Sequence, residues 1–292
     1  MTPLRQRMTE ELQLRNSSEQ TIRTYIASVE RFARYYDESP GQLSAEQVRS
    51  YLLHLLQERK LSWSAIHVNR AALRFLYVRV LKQRWFDEEI VAPKRHPQLP
   101  TVLSKEEITK ILDATRNLKH WTIMATLYAT GLRCNEIRLL KIEDIDSKRM
   151  LIHIRNGKGQ TPRSVPLSPA LLERLRIYWR WRKPKDWLFP SKQRPQCPMD
   201  GKSIRHLCAN AGRRAAIKRH VHPHVFRHSF ATHLLDQGAD LCTIQVLLGH
   251  ADIQTTARYL RVSMRRIQAI ASPFDALIVQ PIDQSEDNAR QR

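Results

Sequence analysis

Apolar residues recur three and four positions apart along most of this chain, a spacing that predicts helices. Ile22, Tyr25, Ile26, Val29, Phe32, Ala33 and Tyr36 lie in one such register, predicting a helix over 16–37 with Ser17 and Gln20 as its capping box. Ser39-Pro40-Gly41 stops it. Ser44 and Gln47 open a second helix, with Val48, Tyr51, Leu52, Leu55 and Leu56 on one face. A third follows Ser62 and carries Ile66, Asn69, Leu73, Leu76, Tyr77 and Val80. Residues 1–90 therefore read as a small helical bundle. Residues 91–101 hold three prolines and no periodicity, as in a stiff extended linker, and the domain boundary is placed there.

The second domain spans 102–275. Ser104 and Glu107 form a capping box ahead of Ile108, Ile111 and Leu112. A buried helix over 120–129 ends at Gly131, a candidate left-handed cap, and Arg133 sits at the turn into the next short helix. The pattern then switches to strands at Met150–Ile154 and Ser164–Leu167. Asn156-Gly157 and Gly159 form the hairpin loop between them, and Lys158 lies within it. Ser168-Pro169 starts a helix to about Arg182, with Leu171, Leu172, Leu175 and Tyr178 inward. Residues 183–200 read as a proline-rich loop in which Trp187, Leu188 and Phe189 plug the core. A basic helix follows over 203–218, and a last helical segment runs to about Ala271. The polar stretch 276–292 reads as a disordered tail.

Composition turns this mainly helical picture towards a polyanionic partner. The chain has 292 residues, 49 Lys and Arg against 28 Asp and Glu, and a formal net charge of +21. Such a charge is self-repelling unless it meets a polyanion, most often nucleic acid. Arg23, Arg31, Arg34, Arg49, Arg70, Arg74, Arg79, Lys82 and Arg84 lie between the apolar positions of the first bundle, where they suit a DNA backbone. Cys134, Cys197, Cys208 and Cys242 form no CxxC pair and no disulfide framework, which fits a reducing, cytoplasmic setting, nucleoid-associated in a bacterium. No apolar run reaches the roughly 18 residues of a membrane span.

The densest chemistry lies between His222 and Tyr259, which hold His224, Arg227, His228, His233, His250 and Tyr259. Guanidinium forks grip phosphate oxygens, imidazoles move protons near neutral pH, and a tyrosine oxygen can be a nucleophile. By themselves these residues leave other readings open. His222, His224 and His228 with Cys208 would suit zinc, although zinc pairs are usually more tightly spaced. Residues 238–260 with Gly249 at a turn resemble a helix-turn-helix. Packed histidines are a third reading.

Thr130-Gly131-Leu132-Arg133, Gly157-Lys158-Gly159, His224-x-x-Arg227-His228, Leu248-Gly249-His250 and Tyr259 occur in that order, with His250 23 positions after Arg227 and Tyr259 9 after His250. Together they resemble the active-site boxes of the tyrosine recombinases, the phage-integrase family. Asn16, Thr21 and Tyr25 resemble the start of that family's core-binding domain. The resemblance implies a mainly α fold with a small antiparallel β-hairpin (α+β), in which a helical core-binding (SAM-like) domain precedes a catalytic domain. It implies site-specific recombination of double-stranded DNA through a 3′-phosphotyrosine and a Holliday junction, by a homotetramer, with neither cofactor nor metal. It implies that Tyr259 is the nucleophile, that Arg133, Arg227 and His250 hold the phosphate, that Lys158 is the general acid, and that His224 is the base. Arg258 departs from the uncharged residue expected before the nucleophile. The competing functions are a type IB topoisomerase-like nicking-closing enzyme and a non-catalytic DNA-binding regulator.

Overall fold

The structure is a computed structural model that describes residues 2–86, 100–155 and 162–249. It divides into two compact units, Met1–Pro97 and Gln98–Arg292.

The first unit is helical. Helix α1, Pro3–Leu14, precedes the segment where periodicity predicts the first helix; Thr2 caps it and Met8 and Leu12 bury its inner face. Helix α2 is Glu19–Tyr36, and its N-cap is Ser18 rather than Ser17: the Ser18 hydroxyl accepts from the Thr21 backbone N–H. Helix α3, Ala45–Gln57, has the Ser44–Gln47 capping box in both directions. Helix α4, Trp63–Phe75, starts at the Ser62 cap and passes into a π-helical turn, Leu76–Val80. That turn inserts Tyr77 into the core, where its hydroxyl donates to the carbonyls of Pro40 and Leu43 at 2.7 and 3.0 Å. Phe32, Val48, Leu73, Leu76 and Val80 are fully enclosed beside it. The basic residues picked out by pattern lie on the exposed faces, except Arg70, which is half-buried over the Trp85 ring.

The second unit is helical around one small sheet. Helix α5, Lys105–Asp113, has the Ser104–Glu107 capping box. Helix α6 is Leu118–Thr130 and α7 is Cys134–Arg138. The expected two-strand hairpin is a three-stranded antiparallel sheet in the order β1 (Ile145–Asp146), β2 (Leu151–Ile154), β3 (Arg163–Pro166). The added strand, β1, leads into β2 through a turn in which the Asp146 carboxylate accepts from the backbone of Lys148 and Arg149. Helix α8, Pro169–Arg182, buries the four predicted residues. In the proline-rich loop Leu188 and Phe189 plug the core as expected, but Trp187 is only half-buried and donates its indole N–H to the Gln196 carbonyl. Helix α9 is Gly201–Arg214, ending earlier than periodicity suggests; α10 is Pro223–Asp236 and α11 Leu241–Leu248. Residues 91–99 of the proline-rich stretch, the hairpin loop at 156–161, and everything from His250 onward lie outside the described residues.

Helix α6 is the centre of this unit. It is apolar nearly all round, and seven of its residues are buried. Thr122, Thr126 and Thr130 can be buried because each hydroxyl donates to a carbonyl one turn back, at 2.6–2.7 Å. Gly131, at φ +63°, ends the helix in the left-handed region and turns the chain towards Arg133. A Cβ there would come within 2.4 Å of the Phe230 ring.

Gly131→Ala is therefore expected to cost roughly 2–4 kcal/mol, from left-handed strain and overpacking together. Gly238, at φ +95° with nothing within 4 Å of a would-be Cβ, is the control, and Gly238→Ala should cost only the strain, about 1–2 kcal/mol. Urea unfolding of both variants checks the difference; equal losses would show that Phe230 yields freely.

Candidate active site

Arg133 caps the N-terminus of α7 in an extended conformation, and Glu136 reaches back to accept its backbone N–H at 2.8 Å. The same carboxylate accepts from the Arg133 guanidinium at 2.9 Å. Glu136 is 5% exposed, so it needs partners for its charge.

The second partner comes from the sheet. In the β2–β3 register Ile152 faces Val165 and Ile154 faces Arg163. Side chains alternate along a strand, so Arg163 shares the inward face with Val165, while Ser164 between them points out. Arg163 therefore enters the core, where it grips Glu136 bidentately, Nη1 to Oε1 at 2.9 Å and Nη2 to Oε2 at 2.8 Å. Burial alone would raise the Glu136 pKa. The Arg163 fork, the Arg133 backbone N–H and both positive charges outweigh it and bring the carboxyl down to about 2.

The third arginine lies on α10, which Pro223 starts at the first helical position. Arg227 is 2% exposed and donates to the carbonyls of Gly131 at 2.9 Å and Leu248 at 2.7 Å. Arg133 reaches the same Leu248 carbonyl at 3.1 Å and the Gly249 carbonyl at 3.1 Å. Arg163 Nε donates to the Leu247 carbonyl at 2.8 Å. All three guanidiniums thus meet the last turn of α11, whose carbonyls lack helical partners and carry the negative end of the helix dipole. Gly249 closes that turn at φ +61°, and a Cβ on it would lie 3.0–3.2 Å from Arg163.

His224 stands on the first turn of α10 beside these arginines. Burial, then His222, Arg227 and Arg133, push its pKa below the ordinary imidazole value, against a small opposing pull from Glu136. The His224 ring centroid is 6.1 Å from that of His222 and 6.4 Å from that of His228. His233 is a packing residue, its Nδ1 hydrogen-bonded to the Tyr128 hydroxyl at 2.8 Å. The structure thus brings Arg133, His224 and Arg227 together, whereas Lys158, His250 and Tyr259 lie outside the described residues. Neither Glu136 nor Arg163 stands out in the sequence. Arg163 had a legible signal, since it sits two positions before the inward Val165 of a predicted strand; Glu136 needed the fold.

With this geometry in view, the comparisons give one answer. The phage integrase family model matches residues 101–266, and the phage integrase N-terminal SAM-like domain matches residues 4–87. The protein of Sinorhizobium fredii that carries the name integrase/recombinase y4qK is 45% identical over 278 residues, covering 95% of this chain and 90% of that one. Tyrosine recombinase XerA of Thermococcus onnurineus is 35% identical, covering 91% and 94%. Among solved structures, the XerH site-specific recombinase bound to its difH substrate superposes with a TM-score of 0.69 at 25% identity, covering 89% of this chain and 81% of that one. The chain belongs to the phage integrase family. It is a tyrosine-type site-specific recombinase.

Glu136→Gln should destabilise the second unit by roughly 3–5 kcal/mol, because it leaves a buried guanidinium without its counter-charge. The acid limb of stability changes with it. A depressed carboxyl pKa adds stability that is complete above its unfolded value, about 4.3, and is lost as pH falls towards 2. Wild type should therefore lose stability over that interval more steeply than the variant, as urea midpoints measured against pH would show. Parallel pH profiles would mean that Glu136 is not ionised in the native state.

Proposed function

We propose that the catalytic set of this recombinase is Arg133, Lys158, His224, Arg227, His250 and Tyr259. The observation that carries the reading is the convergence of Arg133 and Arg227 on the last turn of α11, beside His224 and immediately before His250. Two preorganised guanidiniums there supply the positive charge that a pentacoordinate phosphate develops on its non-bridging oxygens, an effect that often dominates catalysis. Their rigidity comes from Glu136 and the α11 carbonyls, so the donors need little reorganisation at the moment of reaction.

In this reading the Tyr259 oxygen attacks the scissile phosphorus. The tyrosine proton passes to His224, whose lowered pKa keeps it neutral and able to accept. The bond from phosphorus to the 5′-oxygen breaks, and Lys158 protonates that leaving oxygen. A 3′-phosphotyrosine and a 5′-hydroxyl result, and attack by a second 5′-hydroxyl reverses the step on a new strand. Each active site cuts one strand, so exchange of two duplexes takes four protomers: the working form is a homotetramer on double-stranded DNA. Residues 1–90 form the core-binding domain, 91–101 the linker, 102–275 the catalytic domain and 276–292 the tail. The DNA substrate and unpaired Cys134, Cys197, Cys208 and Cys242 support a cytoplasmic, nucleoid-associated location. Among the described residues no helix is long and apolar enough to cross a membrane.

A nicked suicide duplex carrying the target site, found by mapping the DNA that flanks the gene for inverted repeats, should trap a covalent adduct stable in SDS, and Tyr259→Phe should trap none. Equal trapping by the variant removes Tyr259 as nucleophile. Lys158→Ala should slow cleavage by about 100-fold or more and recover when the 5′-bridging oxygen is replaced by sulfur, a better leaving group. Plasmid relaxation without any recombinant product would instead favour a nicking-closing enzyme. The second-order rate of adduct formation should rise with pH along a limb centred below 6.5, since a lowered pKa keeps His224 neutral from there upward. A limb centred above pH 7 would exclude His224 as the base.

A further inference from the structure

At the end of α6 remote from Gly131 lies a cavity of about 730 Å³ that the active site does not use. The first turn of α6 contributes Lys119 and His120, the last turn of α8 contributes Trp181 and Arg182, and the proline-rich loop contributes Lys192. Its one acidic wall residue, Asp200, is committed elsewhere: its carboxylate caps α9 by accepting from the backbone of Lys202 and Ser203, and the cation it faces is Arg138. Among the described residues Lys119, Arg182 and Lys192 form no ion pair with a carboxylate. Lys119 is half-buried and donates to the Pro190 carbonyl, and the like charge of Arg182 acts on it. Trp181, 60% exposed, stands beside these cations, its ring centroid 6.3 Å from that of Tyr178.

Like charges collected in a partly desolvated cavity repel one another and destabilise the fold unless an anion joins them. The cluster depresses its own members. Burial and then Arg182 bring Lys119 down to about 8, and burial, Lys119 and Arg214 lower His120. A group of several unpaired cations beside an aromatic ring suits one chemistry, a phosphate attached to a nucleoside.

We propose that this cavity is a second phosphate site, which takes a backbone phosphodiester of the bound DNA away from the scissile position. The proposal rests on the reading of DNA as substrate. Helix α6 has 13 residues and separates the cavity from the arginine cluster by about 20 Å at 1.5 Å per residue. At 3.4 Å of rise, that is about six base pairs of duplex. The cavity therefore anchors the duplex outside the cleaved step and adds affinity without adding to the chemistry.

The test is the salt dependence of binding of the full chain to random-sequence duplex DNA. Each phosphate contact contributes a slope of about −0.9 in log K against log salt. The variants are Arg182→Gln with Lys192→Gln, both exposed positions, and separately Lys119→Met. Each should flatten the slope by about 1 and weaken binding several-fold near 0.1 M salt, with the yield of covalent adduct at saturating protein unchanged. The melting temperature of the Arg182→Gln, Lys192→Gln variant should hold or rise, because like-charge repulsion is relieved; Lys119→Met also removes the hydrogen bond to the Pro190 carbonyl and is read by its slope alone. An unchanged slope overturns the proposal, and so does a lowered melting temperature of the Arg182→Gln, Lys192→Gln variant, which would mark the cluster as structural. Inorganic pyrophosphate distinguishes the other source of the same chemistry. If the variants lose pyrophosphate binding but keep the DNA slope, the site holds a free phosphate compound and the DNA assignment fails. Failure of wild type to bind duplex DNA even at low salt would instead refute the functional reading itself.

Discussion

Glu136 is the constraint around which the catalytic unit is arranged. One buried carboxylate accepts two bonds from Arg133 and two from Arg163, so two separated parts of the chain, the start of α7 and strand β3, are fixed by one charge. An unpaired carboxylate at that depth would be strongly unfavourable. The pairing is thus a condition for the fold and not an addition to it. It also sets the geometry of the site, because the guanidinium that meets Glu136 also meets the α11 carbonyls.

The end of α11 is the second half of the same arrangement. A helix C-terminus offers unpaired carbonyls and partial negative charge, and here three guanidiniums take them up. Arg227 can be buried for that reason. The left-handed Gly131 and Gly249 make the close approach possible, since each lies where a side chain would collide with Phe230 or Arg163. Packing and electrostatics are therefore coupled: the glycine turns bring the backbone carbonyls within reach, and the arginines hold the turns in place.

The two ends of α6 carry different electrostatic environments. At the Gly131 end every described guanidinium meets a carboxylate or a helix carbonyl. At the Lys119 end cations face one another across a cavity. A rigid, threonine-studded helix between them keeps both at a fixed separation, which suits a substrate that is itself a stiff rod of regularly spaced charges.

Much of this was legible in order along the chain. Capping serines at 44, 62, 104 and 168, the proline at 169 and the glycine at 131 act through local backbone chemistry, so the sequence alone determines where those helices start or stop. The net charge of +21 and the ordered boxes at Arg133, His224 and Arg227 likewise identify a phosphodiester chemistry. Local signals failed where two adjacent residues could both serve, as Ser17 and Ser18 could at the start of α2, and where a weak amphipathic stretch such as Pro3–Leu14 becomes helical by packing on its neighbours. They failed most at the site. Nothing near Glu136 in the chain announces a partner 27 residues away, because the pairing depends on a strand register that turns Arg163 inward. The sequence by itself determined which groups are available and where the backbone turns. Only the tertiary structure decided which charges meet, because burial makes each choice of partner obligatory.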